Sequence, residues 1–473
     1  MKIDRIDVDV VIDNAKQLID QEKDLSPALQ SALGVLLLLV SVLLNRSTLN
    51  SKNSSKPPSS DPNRKKSSRQ KSGRSSGAQK GHNGTTLRKV SDPEIVKPIK
   101  LDRRTLPKGH YHEQGAETRQ VFDIDISRVV TEYQAQVLVD EQGKSFVASF
   151  PDGVTKAVQY GSQLKAHAVY LSQYQLLPYK RIQEYFCDQL HIPLSEGSLY
   201  NFNATAFSRL AEFEEFSKDQ LAEADLAHAD ETGININGKG HWLHCASNEF
   251  WTHYYPHSKR GTEAMNEIGI LPRFKGVLCH DHWKPYYRYD FSHALCNAHH
   301  LRELTRAWEQ DKQAWAKEME QWLKTINIAV DDAGGVLSHD KAERYRLQYR
   351  EILEKARIEC PPPKTPPGKP KRGRLKRSKS RNLLERLINY EDDVLRFMEI
   401  PFVPFTNNRG ENDLRMTKVH QKISGCFRSV EGAKIFCRVR GYLSSCRKQN
   451  IRASGAMRRV FDGEISELFS DPG

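Results

Sequence analysis

LAHADETGININGKGHWLHCASN, residues 226–248, reads as two strands joined by a tight turn. Its two halves alternate like strands, at the period of two that a pleat imposes. Asn237-Gly238 supplies the residue pair that best tolerates the positive φ of a two-residue hairpin. A short strand of buried type follows at 276–281, GVLCHD, and ends in an acid. Helical patterning resumes at Ala298 and runs, with breaks, to about Arg357; a last helical part starts at Asn382. Strands followed by helices, with a long helical insertion, predict an α/β core.

Upstream of this core, SQLKAHAVYLSQYQLLPYKRIQEYFCDQLHIPLSEGSLYNFNATAFSRL (162–210) is helical, broken at Leu177-Pro178 and near Ile192-Pro193. Ser195 is a candidate N-cap for a short helix after the second break. Three short helices with tight turns suit a helix-turn-helix or an ordinary helical bundle, and the residues do not separate the two. Residues 94–150 predict short strands, for example Gln120–Ile126 and Thr131–Val139. The first 45 residues read as helix. Leu29, Leu33, Leu36, Val40 and Leu43 recur by fours and threes, the seam spacing of a coiled coil, with a core helix and a membrane segment as the alternatives.

The 473 residues carry a formal net charge of +13, and its distribution tells more than its total. Arg46 to Lys89 holds 12 Lys/Arg against the single acid Asp61, and Cys360 to Arg381 holds nine Lys/Arg and no acid. The rest of the chain is therefore mildly acidic. A Ser/Lys/Gly/Pro tract with almost no apolar residue cannot offset the entropy of ordering, so a flexible basic linker is expected. Such tracts bind phosphates with counterion release, or merely keep a linker soluble. The eight cysteines include no CxxC pair, which suits a reducing compartment. MKIDRIDVDV has no cationic stretch followed by an apolar run, so no secretory leader is expected. GxxxxGK[ST], GxSxG and HExxH are all absent, which removes P-loop, nucleophile-elbow and zincin chemistry.

Three acids stand out from the solvated majority. Asp230 lies in HADETG on or at the end of a strand, Asp281 ends GVLCHD, and Glu411 opens a helix in PFTNNRGENDLRMTKV. Strand ends in α/β sheets are where sites are built. Carboxylates hold hard divalent ions, and two such ions about 4 Å apart activate an attacking hydroxyl and stabilise a leaving oxygen. Arg415, Lys418 and Lys422 follow Glu411 by 4, 7 and 11 residues, on one helical face, which is either a phosphate-contacting or a solvated basic face. Cys296 and His299 form a CxxH pair; without a second half-site it is read as structural, not as zinc.

The ordered series NSSKPPSSD, QKGHNGTTL, FPDGV, QYGSQLKAHAVYLSQYQLLPYKRIQEYF, ADET, CNAHHLREL, NLLERL, VPFTNNRGENDLRMTKVHQKISGCFRS and CRVRGYLSSCRKQN resembles the IS66 type of bacterial insertion-sequence transposase over nearly the whole chain. Val403 to Ser429 is its most specific part. The resemblance implies an RNase H-like catalytic domain whose DDE triad falls on Asp230, Asp281 and Glu411. These would hold Mg²⁺ or Mn²⁺, two ions in all. It implies metal-dependent cleavage at element ends and strand transfer into target DNA; the other readings are a DNA-binding protein without catalysis, or a nuclease that cuts without joining. The implied organisation is a zipper-like helix (1–45), a basic linker with Arg64, Lys65 and Lys66 as DNA contacts (46–93), a small β module (94–155), a helical DNA-binding region (156–222), a first catalytic part (223–300), a helical insertion with the basic Pro-rich tract (301–385) and a C-terminal catalytic part (386–473). Implied partners are terminal inverted repeats, target DNA, further copies of the chain and accessory proteins, in a bacterial cytoplasm at the nucleoid, without a membrane. The family's Cys-rich zinc module has no counterpart: LPKGHYHEQGAETRQVFDI (106–124) contains no cysteine, and His110 and His112 are too few for a Cys₄ or Cys₂His₂ site.

Overall fold

A computed structural model describes residues 2–3, 6–22, 24–50, 53–54, 87–363 and 377–465. Arg64, Lys65 and Lys66, with most of both basic tracts, lie outside the described residues. The chain starts with two-residue strands β1 (Lys2–Ile3) and β2 (Ile6–Asp7), then helices α1 (Val8–Gln21) and α2 (Pro27–Thr48). The expected single helix is thus two. Pro27 has no N–H to donate and opens the second, where a helix tolerates proline best. Leu29, Val35, Leu36, Leu39 and Leu43 on α2 are exposed. No helix among the described residues is long and apolar enough to cross a membrane.

Between residues 87 and 158 no side chain is buried. The only strands there are β3 (Val137–Val139) and β4 (Ser145–Val147), which form a hairpin. Gln120–Ile126 forms no strand, and Thr131–Val139 does so only in its last three residues. Alternating sequence does not make a strand without a paired neighbour and a face to bury.

The hairpin at 226–247 forms as read. β5 (Leu226–Ile236) pairs antiparallel with β6 (Lys239–Ser247), and Asn237 and Gly238 turn with φ of 48° and 78°. β7 (Thr252–His257) lies antiparallel on β6 at the sheet edge, where Pro256 disturbs least. On the other side of β5, β8 (Val277–His280) and β9 (Ser292–Leu295) run parallel, giving the order β7-β6-β5-β8-β9. Gly276 is needed at the entry to β8: a Cβ there would come within 2.4 Å of the carbonyl oxygens of Ala224 and Asp225.

Helices cover this mixed sheet. Before it come α3 (Ser162–Val169), which runs on into a π-helical turn at Tyr170–Tyr174, α4 (Tyr179–Leu190), α5 (Glu196–Arg209) and α6 (Ala211–Ala222). Ser195 does cap α5, accepting from the Ser198 N–H, but the helix has 14 residues and is not short. α7 (Thr262–Ile268) follows β7. The insertion after β9 comprises α8 (Asn297–Glu309), α9 (Ala314–Asp332), α10 (His339–Glu359), α11 (Lys379–Asn389) and α12 (Glu391–Leu395). Its core, with Trp315, Leu323, Tyr349 and Leu384, is continuous with Val277 and Cys279 of β8. Finally come α13 (Asn408–Ser424), α14 (Val430–Lys448) and α15 (Ala453–Asp462). Gly441 lets α14 approach β7, since a Cβ there would lie 2.9 Å from the Thr252 carbonyl oxygen. α3–α6 share one hydrophobic core with α14 and α15.

Candidate active site

Strand periodicity sorts β5 into two faces. Ala227 and Ala229 pack into one core with Leu278 and Tyr286, whereas Ile234 and Ile236 pack into another with Leu414 of α13. Even-numbered positions of β5 therefore face α13. His228 is in register with Cys279 of β8; Asp230 lies two residues further along β5, and Asp281 two residues beyond Cys279. Asp230 sits within its strand, while Asp281 directly follows the last residue of β8.

Glu411 arrives from the first turn of α13. Burial, then Glu231, Asp281 and Glu411 in that order, push the Asp230 carboxyl well above the usual carboxylate range, although the Glu231 N–H donates to it at 2.8 Å. Asp230 thus feels the charge of both other sequence-selected acids, the farther of them 181 residues along the chain. An oxygen-only donor set with this much mutual repulsion suits a hard divalent cation.

Asn407 fixes the approach. It is buried, precedes α13, and its Oδ1 lies 2.7 Å from His228 Nδ1. Its side-chain amide donates to the Ala229 carbonyl at 2.9 Å, and its backbone N–H donates to Cys296 Sγ at 3.1 Å. The Glu411 N–H in turn donates to the Asn407 carbonyl. One residue therefore ties β5, the start of α8 and the helix of Glu411. Burial holds the His228 imidazole down to about 4, hence neutral.

Around the acids stand groups that sequence reading did not assign to this site. Arg302 Nη2 is 3.4 Å from Glu411 Oε1, and His299 Nδ1 is 3.9 Å from the same oxygen. Glu231 points to the opposite face of β5. There its carboxylate takes hydrogen bonds from Arg260 Nε at 2.6 Å and from the Tyr286 hydroxyl at 2.7 Å. Arg260 is itself held between Trp242 and Trp283, 4.7 and 4.2 Å from the ring centres. Asn407 carried a weak signal, a polar residue just before a helix; Arg260 and Arg302 carried none.

The basic run on α13 divides. Arg415, Lys418 and Lys422 are all exposed, but among the described residues only Lys418 has its head group engaged. Lys418 bends to the sheet, where Nζ donates to the Gly233 carbonyl at 3.1 Å. Burial lowers its ammonium below the usual range, and Asp230 opposes that.

An acidic centre on an α/β sheet, beneath a helix that carries exposed cations, belongs here to a DNA-processing enzyme of the transposase class. The chain belongs to the Transposase IS66 family, whose model matches residues 157–435 and so spans the sheet, the helical insertion and α13. A second model, Family of unknown function (DUF6444), matches residues 9–88. No curated protein matches the chain.

Proposed function

We propose that this chain cleaves DNA at the ends of an insertion sequence and joins the freed 3′ ends to target DNA, with Asp230, Asp281 and Glu411 as the acids that hold Mg²⁺ or Mn²⁺. The observation that carries this reading is the family match across all three acids, and the charges of Asp281 and Glu411 acting on the raised Asp230 carboxyl support it. The mixed sheet, with β5 flanked by an antiparallel and a parallel neighbour, supports an RNase H-like reading of the domain.

Divalent cations bound there would activate the attacking hydroxyl and neutralise charge at the scissile phosphate. The chain's own part is positioning. In this reading the parallel pairing of β5 with β8 carries Asp230 and Asp281, and Asn407 anchors the helix of Glu411 to β5. Arg415 and Lys422 would contact the DNA backbone beyond Glu411, and the basic sequence of the linker, with Arg64, Lys65 and Lys66, suits the same role. α3–α6 are a further candidate DNA-binding region, and the exposed leucines of α2 suit pairing with a second copy of the chain.

The test is a strand-transfer assay with purified protein, a labelled end of its own element, and Mg²⁺, Mn²⁺ or EDTA. Metal-dependent cleavage and joining, lost in Asp281→Asn, is expected. Tight DNA binding with no cleavage in either metal overturns the catalytic reading.

A further inference from the structure

The CxxH pair at the start of α8 gains a third member from the far side of the insertion. Cys296 Sγ, a ring nitrogen of His299 and a carboxylate oxygen of Glu411 all lie within 4.8 Å of one another. His299 Nδ1 is buried and has no hydrogen-bond partner. Its neighbour Glu411 Oε1, at 3.9 Å, is beyond hydrogen-bonding reach. A buried polar atom is rarely left unsatisfied, and one that is calls for a missing partner. Cys296 Sγ, for its part, accepts the Asn407 N–H; burial raises its thiol above the usual range and this hydrogen bond opposes that, so a bound cation is what would hold the thiolate.

We propose that Cys296, His299 and Glu411 form a binding site for one thiophilic divalent ion, with Zn²⁺ as the type. A sulfur, a nitrogen and an oxygen are the donors that zinc takes, whereas magnesium takes oxygen. Three protein ligands leave a fourth tetrahedral position open. The ion displaces the Cys296 proton to solvent, so binding weakens as pH falls. The site differs in donor set from the three carboxylates but shares Glu411 with them. A zinc ion here therefore withdraws Glu411 from the proposed catalytic set, and this consequence alone rests on the reading of the active site given above.

The test uses the full-length protein with Co²⁺ as a spectroscopic stand-in for Zn²⁺. A Cys187→Ser/Cys426→Ser background removes the two thiols that are not buried. One equivalent of Co²⁺ is expected to give a thiolate-to-cobalt charge-transfer band, which one equivalent of Zn²⁺ abolishes and Mg²⁺ at equal concentration does not. The band should vanish in Cys296→Ala, and His299→Gln should weaken Co²⁺ binding at least tenfold. Absence of the band, or its survival in Cys296→Ala, overturns the proposal. Should Cys296→Ala not fold, an unchanged Co²⁺ isotherm in His299→Gln overturns it equally. None of these readouts involves DNA cleavage, so failure of the catalytic reading is seen separately.

Discussion

Asn407 Oδ1 lies 2.7 Å from Nδ1 of His228, a residue 179 positions earlier in the chain and two before Asp230 on the same strand. This contact joins the strand of one proposed metal ligand to the helix of another. Asn407→Ala removes it together with the bond to the Ala229 carbonyl, and leaves the buried His228 without its partner. A loss of about 1–3 kcal/mol in stability is expected, the usual cost of orphaning a buried polar group. Cleavage should fall on the order of 100-fold, as small misplacements of reacting groups do, while DNA affinity stays near that of the parent. Denaturant unfolding and single-turnover cleavage check this, and unimpaired cleavage removes Asn407 from the positioning role.

Asp230 opposes folding in the metal-free protein. Its carboxyl is raised in the folded chain, so its charge costs stability above the unfolded value, and the cost is relieved as pH falls below the folded one. Asp230→Asn keeps the shape and removes the charge. In EDTA at neutral pH this variant should melt a few degrees higher than the parent, on the scale of 2–4 °C per kcal/mol for larger domains, and it should not cleave DNA. Thermal unfolding of the two proteins decides it; a lower melting temperature for the variant refutes the electrostatic account.

Arg260 is expected to be structural. Its removal leaves the Glu231 carboxylate buried with only the Tyr286 hydroxyl for support. Breaking a buried pair in this way costs about 3–5 kcal/mol, less here because Arg260 is one-third exposed. Arg260→Ala should therefore lose about 2 kcal/mol, and the double change with Glu231→Gln should recover part of that. A double-mutant cycle on unfolding free energies measures it, and strict additivity counts against the pair.

Acid should unfold the molecule early. Burial depresses His228, His244, His282, His293 and His420 to about 4 and His253 to about 3. These imidazoles are neutral in the fold but take up protons in the unfolded chain near pH 6.5. Their contribution is complete above that pH and is lost as pH falls from about 6.5 toward 4. Unfolding free energy followed from pH 8 to 4.5 should fall steeply over the lower half of that range. A flat profile there contradicts the burial of these rings.

The cations of α13 should separate into two kinds. Arg415→Ala and Lys422→Ala each remove an exposed charge, and each should lower the slope of log affinity against log salt by about one. Lys418→Ala should change that slope much less, because its ammonium already donates to the Gly233 carbonyl. Binding isotherms for a DNA end at several salt concentrations distinguish them. Equal slopes for all three variants put Lys418 among the DNA contacts.

Local pattern carried the sheet. Asn237-Gly238, the run from Gly276 to Asp281 and the Ser195 cap were legible because turn chemistry, strand period and capping act over a few residues. Asp230 and Asp281 stood out for the same reason. What brings Glu411 to them was not legible: it depends on Asn407 reaching β5, a contact between parts of the chain far apart in sequence. Likewise Cys296 and His299 read as an isolated pair until the fold supplied a carboxylate 112 residues beyond His299. The strands expected near Gln120 failed for the opposite reason, as their alternation has no partner to bury against.

The parallel pairing of β5 with β8 also bears on the timing of synthesis. Asp230 and Asp281 can come together once β8 has left the ribosome, but Glu411 is translated 130 residues after Asp281. At roughly 5–20 residues per second that interval is on the order of ten seconds. During it the nascent chain can fold its hairpin while lacking the third proposed acid. A ribosome that stalls inside the insertion would then release a fragment bearing only two of the three acids and none of α13's cations.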